Sequence, residues 1–222
     1  MFIRSFSCLC LLLFLPFPVL AAGWTGIAVF VGQTENDWLL SDINRQANID
    51  FYGLRIEERT NIDLRVGITA GQFELRLLDA LDVTLAEKYT GQFLSLYLRW
   101  PSQLSEFIRL HSQVKYQFHL GDKSPVTDNT DNVDITEISW TEASLDLGVS
   151  IQIGPVLLRP FINFRSIDGD ITSTTQSRIF KQHEVVSQGV IMDFYVEPTA
   201  FVRLKAVNGG QQTVLISFAR EY

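Results

Sequence analysis

The sequence predicts an all-β protein, a transmembrane antiparallel up-and-down β-barrel of about twelve strands, with ten strands as the second choice. Apolar and polar residues alternate with a period of two through most of the chain, as they do in strands with two different environments. Several alternating runs reach nine residues or more, which is the length that a tilted strand needs to cross a bilayer. Long and short connections also fall at opposite ends of the predicted strands.

The first 22 residues have the pattern of a secretory signal peptide. Arg4 precedes an apolar run over residues 8–20, and Ala21 and Ala22 form a small-residue cleavage site. This run is too short for a transmembrane helix, which needs about 20 apolar residues. We therefore expect a signal peptide over 1–22, followed by a single domain over 23–222.

Cleavage after Ala22 changes the composition in two ways. It removes Cys8 and Cys10, the two cysteines of the chain, so the mature domain has no disulfide and no thiol chemistry. It also removes Arg4, which takes the net charge from −7 to −8. An acidic domain of this size lacks the basic surface that nucleic-acid binding requires, so we exclude nucleic acid as a partner.

Each predicted strand is an alternating run bounded by turn residues. In a typical run, Leu145, Leu147 and Val149 alternate with Asp146 and Gly148. The full set of predicted strands covers residues 25–33, 48–58, 62–70, 72–78, 83–89, 91–100, 106–120, 138–153, 156–168, 183–196, 199–207 and 211–222.

The connections between these strands differ in length on the two sides of the predicted barrel. If the first strand starts in the periplasm, the long polar connections all lie outside: 33–47, 121–135 and 169–182. The short turns then lie in the periplasm: 59–61, 79–82, 101–105, 154–155 and 197–198. Bacterial outer-membrane barrels have this asymmetry, together with an even number of strands.

The last twelve residues alternate strictly, and the chain ends on an aromatic residue. Val214, Ile216, Phe218 and Tyr222 share the apolar side of this strand. The segment resembles the closing strand of Gram-negative outer-membrane β-barrel proteins, in which this pattern is the signal for the barrel-assembly machinery. Arg220 departs from the pattern, because the family usually has an apolar or aromatic residue there. The resemblance implies a Gram-negative outer-membrane location, with membrane lipid, lipopolysaccharide and the assembly machinery as partners.

Alternation alone does not decide which side of each strand faces lipid. A soluble periplasmic β-domain gives the same pattern with its apolar side turned inward. The terminal aromatic residue, the strand lengths and the arrangement of long and short connections favour the membrane barrel.

Charged residues recur on the polar side of the predicted strands, which faces the lumen if the apolar side faces lipid. The cations on this side are Arg55, Arg65, Arg76, Arg99, Arg109, Lys115, Arg159, Arg165, Arg203 and Lys205. The anions are Glu57, Asp63, Glu74, Asp146 and Asp193. Five acids cannot neutralise ten bases, and unpaired cations are costly in an interior without water. We therefore expect water in the lumen.

These observations together predict a small pore for passive diffusion of small polar solutes, with a preference for anions. In strand number and cationic lining the chain is similar to the twelve-stranded porins for acidic oligosaccharides. We keep three alternatives: a structural or adhesive barrel with a blocked lumen, an outer-membrane enzyme with a site at the rim, and a soluble ligand-binding domain.

Catalytic and metal sites have little support in the sequence. The residues that could form a hydrolytic site at the outer rim are His119, His183, Asp122, Asp168, Asp170 and Glu184. Acidic residues also recur between residues 121 and 135, but without the spacing of a calcium loop. Solvated loop residues explain both groups, and no nucleotide-binding, nucleophile-elbow or zinc-protease motif is present. We expect no catalytic residue, no metal and no cofactor.

Overall fold

The computed structural model describes residues 25–41, 43–60, 62–78, 87–105, 108–123, 136–173, 177–182 and 185–222. The predicted signal peptide lies outside these ranges, as do most of the acidic 121–135 connection and the predicted rim residues His183 and Glu184. No helix in these ranges is long and apolar enough to cross a membrane.

Eleven strands form one antiparallel sheet within the described ranges. They are β1 (Thr25–Leu40), β2 (Ile43–Arg59), β3 (Arg65–Leu78), β4 (Glu87–Gln103), β5 (Ile108–Lys123), β6 (Glu137–Ile153), β7 (Val156–Thr172), β8 (Ser177–Gln182), β9 (Val186–Glu197), β10 (Ala200–Gly209) and β11 (Gln211–Glu221).

The sheet closes into a barrel because β1 pairs with β2 on one side and with β11 on the other. The ring has ten strands, since β8 stands outside this sequence of neighbours. Thr25 and Tyr222 exchange backbone hydrogen bonds of 3.3 and 2.8 Å, so both ends of the described chain lie at the same end of the barrel. We call this the periplasmic end, because no connection there has more than five residues, whereas the longest separations between strands, 79–86 and 124–136, lie at the other end. The barrel therefore has the second choice of strand number, and not the twelve strands expected first.

Two strands too many were predicted because two glycines, Gly71 and Gly91, look like strand ends in the sequence. The predicted strands 62–70 and 72–78 are one strand, β3, which passes through Gly71. The described residues of those at 83–89 and 91–100 likewise belong to one strand, β4, which begins at Glu87 and passes through Gly91. At each glycine an aromatic ring from the neighbouring strand occupies the place of a side chain. A Cβ on Gly71 would lie 2.7 Å from the Phe93 ring, and one on Gly91 would lie 2.6 Å from the Phe73 ring. These glycines are required for packing and do not mark turns.

Several strands extend further outward than the alternation suggested. The predicted loop 33–47 is almost entirely strand, because β1 runs to Leu40 and β2 begins at Ile43. The predicted loop 169–182 contains the end of β7 and all of β8. The predicted periplasmic turn 79–82 lies outside the described residues, and β3, which precedes it, ends at Leu78 on the outer side of the barrel.

An apolar belt surrounds the periplasmic two thirds of the barrel. On β1, Ile27, Val29 and Val31 point outward and are about half exposed, whereas Ala28 and Phe30 between them are buried. The same outward series continues on other strands with Leu54, Ile56, Leu96, Leu98, Val114, Phe118, Ile162, Val214, Ile216 and Phe218. An exposed apolar band of this extent needs lipid to cover it. The soluble periplasmic domain is therefore the wrong alternative.

The outer third of the barrel has a polar outside wall. After Val31, the outward residues of β1 are Gln33, Glu35 and Asp37, and on β2 the outward residue after Tyr52 is Asp50. The long strands consist of 14 to 17 residues, more than a membrane crossing needs. Their outer ends therefore protrude from the apolar belt.

The protruding part has a different ring of strands. β9, β10 and β11 stop at the level of residues 186, 209 and 211, below the outer end. Above them, β8 pairs with β7 at residues 168–172 and with β1 at residues 38–40. Among the described residues, the outer ring thus consists of β1 to β8, so the barrel narrows from ten strands to eight.

Pro160 lies within β7, where it cannot donate a hydrogen bond to a neighbour. The β6–β7 register is interrupted between the pairs Gly148–Phe161 and Ile151–Leu158, and it resumes without a shift. The barrel accommodates this proline by a local gap in one ladder.

The closing strand supports one prediction about assembly. Tyr222 is exposed on the lipid side at the end of β11, in the series of Val214, Ile216 and Phe218. Replacing Tyr222 by aspartate should lower the amount of folded barrel in the outer membrane and leave export intact, as measured by heat-modifiable migration on gels of membrane fractions. Replacing Arg220 by phenylalanine is the control and should be neutral, because its ion pair with Glu197 is exposed. Equal assembly of both variants would contradict the signal.

Candidate functional site: the barrel interior

The inward side chains form two layers of opposite character. The layer within the apolar belt is rich in charged residues, most of which pair with charges on neighbouring strands. The layer within the protruding outer third is apolar and aromatic. We refer to the outer layer as the plug. It consists of Trp38, Leu40, Ala47, Ile49, Phe73, Leu75, Leu77, Tyr89, Ile138, Trp140, Ile167, Ile171 and Phe180.

Stacked aromatic rings form the centre of the plug. The rings of Trp38 and Phe180 are parallel, with centroids 4.4 Å apart, and the Trp140 ring meets Trp38 edge-on at 5.4 Å. On the inner side, His119 stacks on Trp140 at 3.9 Å. Trp38, Trp140 and Phe180 are at most 2% exposed, so they fill the cross-section that they share.

The plug lies above the membrane, as the residues that flank it in sequence show. Ile49 follows Asn48 and precedes Asp50, and Leu75 lies between Glu74 and Arg76, all of which point to the polar outside wall. Apolar outward residues mark the level of the lipid, and polar outward residues mark the level of the water, so they also give the level of the inward residues beside them. The protruding part thus has a polar exterior and an apolar core, as a small water-soluble barrel does.

Polar groups cover the outer side of the plug. Glu87 accepts a hydrogen bond of 3.1 Å from the hydroxyl of Tyr89, and it lies 3.6 Å from the Lys123 ammonium and 3.8 Å from the Arg178 guanidinium. These contacts link β4, β5 and β8 at the rim. They hold β8 over the plug, so that Phe180 stays buried.

At the periplasmic end, two carboxylates organise the arginines. Asp193 on β9 accepts hydrogen bonds of 2.7 and 2.9 Å from Arg203 and is also paired with Arg159. Glu57 on β2 is 2.8 Å from Arg65 and 3.2 Å from Arg99. Each acid therefore holds two guanidinium groups from two other strands.

A third carboxylate, Glu142, lies deeper in the lumen, just below the plug. It pairs with Lys115 and with Arg165, each at 2.6 Å. Arg165 also donates hydrogen bonds to the side-chain oxygens of Asn36, at 2.8 Å, and Gln211. This cluster joins β1, β5, β6, β7 and β11 across the lumen at one level.

The structure places most of the predicted lining residues inward but corrects three of them, Arg76, Glu74 and Asp63. Arg76 and Glu74 point to the outside wall, where Arg76 pairs with Asp50 at 2.6 Å and Glu74 pairs with Lys88 at 2.9 Å. The reason is the false break at Gly71, because a continuous β3 keeps its alternation and turns these residues outward. The predicted anion Asp63 lies in the turn after β2, with φ at 61°.

Two inward acids were missed although the alternation contained them. Glu142 lies on the same side of β6 as Asp146, and Glu221 on the same side of β11 as Ser217. Below the plug, nine of the predicted cations therefore face five acids within the described ranges. The cations are Arg55, Arg65, Arg99, Arg109, Lys115, Arg159, Arg165, Arg203 and Lys205, and the acids are Glu57, Glu142, Asp146, Asp193 and Glu221.

The candidate rim site does not assemble from the residues that the structure describes. His119 points inward and is buried against Trp140, whereas Asp122, Asp168 and Asp170 lie on the outward side of their strands. Asp170 instead accepts a hydrogen bond of 2.9 Å from Ser139. No group of three or more histidines, cysteines or acids in the described ranges is placed to hold a metal ion.

An internal cavity of about 130 Å³ remains between the charged layer and the plug. Its lining includes Phe51 and Phe93 towards the plug, and Arg55, Lys115 and Lys205 towards the charged layer. A polar cavity of this size has room for several water molecules or for a small ion.

The closed ten-stranded ring with its apolar belt is similar to solved bacterial barrels. The translocator domain of the autotransporter NalP from Neisseria meningitidis matches with a TM-score of 0.52 and 7% sequence identity, over 99% of this chain and 94% of that one. The chain has the fold of a Gram-negative outer-membrane β-barrel. The exposed apolar belt of the barrel agrees with the predicted location in the outer membrane.

Two further solved barrels align over most of their length. The attachment invasion locus protein Ail of Yersinia pestis has a TM-score of 0.46 and 10% identity, over 90% of this chain and 99% of that one. The outer membrane protease OmpT from Escherichia coli has a TM-score of 0.38 and 12% identity, over 90% and 94%. At these identities the likeness extends to the fold alone. No protein-family model and no curated protein sequence matches this outer-membrane barrel.

The ion-pair layer gives a prediction about stability. Replacing Asp193 by asparagine leaves Arg159 and Arg203 without an acid in a buried site, so the barrel should lose about 3–5 kcal/mol of unfolding free energy. Replacing Asp50 by asparagine breaks an exposed pair with Arg76 and should cost about 0–1 kcal/mol. Urea unfolding of both variants in detergent, followed by tryptophan fluorescence, measures the difference. Similar midpoints for the two would show that the Asp193 cluster is hydrated and contributes little.

Proposed function

We propose that this outer-membrane barrel is closed to solutes at rest and acts through its protruding outer end, as a structural or adhesive barrel. The observation that carries the proposal is the plug, which fills the eight-stranded outer ring with aromatic and aliphatic side chains. An open diffusion pore needs a continuous polar path, and the buried stack of Trp38, Trp140 and Phe180 crosses that path.

The energetic argument favours a closed state over a briefly opening one. Exposing one large apolar side chain to water costs about 1.5–3 kcal/mol, and opening a path through the plug exposes several of them together. β8 also has to move, because Phe180 is anchored between Trp38 and the rim contacts of Glu87. A standing water-filled channel is therefore disfavoured in the unmodified protein.

The protruding wall offers a surface for partners outside the bilayer. Arg76 and Lys88 pair with Asp50 and Glu74 just above the apolar belt. This is the level of the lipopolysaccharide head groups, which are expected partners. A rigid eight-stranded ring held about its own apolar core is suited to present its rim and connections to other molecules.

The second candidate is the small pore for polar and anionic solutes that the sequence predicts. The observation that favours it is the surplus of inward cations below the plug, since rings of Arg and Lys select anions in pores. The ten-stranded ring removes the similarity in strand number to the twelve-stranded porins. This candidate requires displacement of the plug, so it is a gated pore.

Planar-bilayer recording separates the two candidates. The unmodified barrel should show no steady conductance. Replacing both Trp140 and Phe180 by alanine should open a conductance, because it removes two rings from the narrowest stack. The control replaces Phe161 and Phe201 by alanine, which removes as many rings from the charged layer and leaves the plug intact, so it should stay closed. Heat-modifiable migration must show that both proteins are folded.

The selectivity of the opened variant tests the cationic lining. It should prefer anions under a salt gradient, and adding Arg109→Glu with Arg203→Glu should shift the reversal potential towards cations. Steady anion-selective conductance in the unmodified barrel would replace the closed-barrel proposal with the pore.

A further inference from the structure

We infer that the cavity beneath the plug is a binding site for one small oxyanion of the phosphate, sulfate or carboxylate class, which enters from the periplasmic end. This inference does not depend on whether the outer end opens. It rests on the charge, the volume and the unsatisfied groups of the cavity.

Arg55 is the first observation. Its guanidinium has no carboxylate within ion-pair distance among the described residues, and its Nε has no hydrogen-bond partner there. The group is held between two rings, 5.8 Å from the centroid of Phe30 and 5.5 Å from that of Tyr97. Glu57, two residues away on the same strand, attracts this guanidinium without forming an ion pair with it. A cation that is held inside the barrel without an ion-pair partner is costly unless a counter-ion accompanies it.

Lys205 is the second observation. The Oδ2 atom of its nearest acid, Asp146, is 3.8 Å away, which is too far for a hydrogen bond, and the other oxygen, Oδ1, accepts a hydrogen bond of 2.6 Å from Asn163. The ammonium lies 5.0 Å from the centre of the Phe161 ring, and the like charges of Lys115 and Arg55 act on it. Arg55 and Lys205 are thus two weakly compensated cations that face one space.

The cavity that they share is the third observation. Six cations line it, namely Arg55, Arg99, Lys115, Arg165, Arg203 and Lys205, against the acids Glu142 and Asp146. Its volume of about 130 Å³ suits one small anion with a few waters and excludes an oligosaccharide. The site therefore differs from the translocation path of a porin in both size and purpose.

The chemistry of the lining favours an oxyanion over a halide. A guanidinium presents paired N–H donors that match the oxygens of a phosphate, sulfate or carboxylate group. The Nε of Arg165 also lacks a hydrogen-bond partner, and Arg165 lines the same cavity. Hydroxyl donors from Ser144 and Thr69 complete a polar wall.

Access from the periplasm follows from the position of the two layers. The plug closes the outer side, whereas Arg65 and Glu221 at the periplasmic mouth keep about a quarter of their side-chain surface exposed. Arg109, on the inward side of β5 at the same end, is exposed as well. A positively charged mouth attracts anions towards the cavity.

The experiment measures thermal unfolding of the full-length mature barrel, purified in a zwitterionic detergent without lipid. Inorganic phosphate is titrated at constant ionic strength with sodium chloride, and sulfate is the second probe. The midpoint should rise with phosphate and saturate, because an anion that binds only the folded barrel stabilises it. Isothermal titration calorimetry should give a stoichiometry near one.

Two variants distinguish anion binding by Arg55 and Lys205 from a purely structural role of these side chains. Arg55→Gln and Lys205→Gln should each raise the midpoint without phosphate, because each removes an uncompensated charge. Each should also weaken phosphate binding by roughly tenfold or more, as expected for loss of a charge-assisted hydrogen bond. Arg76→Gln, on the outside wall, is the matched control and should keep the full phosphate response.

Opposite outcomes would overturn the inference. No saturable phosphate effect on the unmodified barrel would do so, and so would an equal effect in Arg55→Gln and Lys205→Gln. If one variant fails to fold, the other decides the question alone. Either failure leaves the test of the closed barrel unaffected, because the conductance of the unmodified barrel and of the Trp140 and Phe180 variant reports on the plug.

Discussion

Charge balance inside a closed wall is the constraint on which the rest of this structure depends. A barrel in lipid has to satisfy every inward group with inward partners or with water. Here each of three carboxylates, Asp193, Glu57 and Glu142, holds two cations from different strands. These pairs join strands that are neighbours or next neighbours in the ring. Contacts between distant parts of the wall come from Arg165 with Asn36 and from Lys205 with Asp146. The aromatic rings of the plug pack above both sets of contacts.

The two interior layers solve different problems along one set of strands. Within the belt, lipid covers the outside and polar groups fill the inside. In the protruding third the relation is reversed, because water covers the outside and the apolar plug fills the inside. The change occurs within single strands, so that on β3 the same parity carries Arg65 at one end and Leu75 at the other. β8 makes the reversal possible, since it narrows the ring to a size that side chains can fill.

The sequence predicted the barrel, its lipid-facing side and the Asp193 cluster's members, because period-two alternation reports directly on which residues share a face. It misplaced Arg76 because a glycine within a strand and a glycine in a turn look alike until the ring above it is known. The plug was missed because the strands that surround it were predicted as loops. Their outward residues, such as Gln33, Glu35 and Asp37 on β1, face water and are polar, so this part of the sequence lacks the apolar residues of a lipid-facing strand. β8 has only six residues, too few for alternation to distinguish it from its connections.

The inward cations below the plug outnumber the inward acids, and this surplus of positive charge bears on the function of the barrel. In a wide pore, water would screen these charges, and the spacing of the ion pairs would matter little. In this barrel Arg55 and Lys205 both line the cavity of about 130 Å³ beneath the plug, so their remaining charge is concentrated there. A barrel built only for stability has no reason to keep two cations beside one cavity, because apolar residues of similar volume at such positions are often neutral or stabilising. Their presence in a closed lumen is therefore best explained by an anion that they hold.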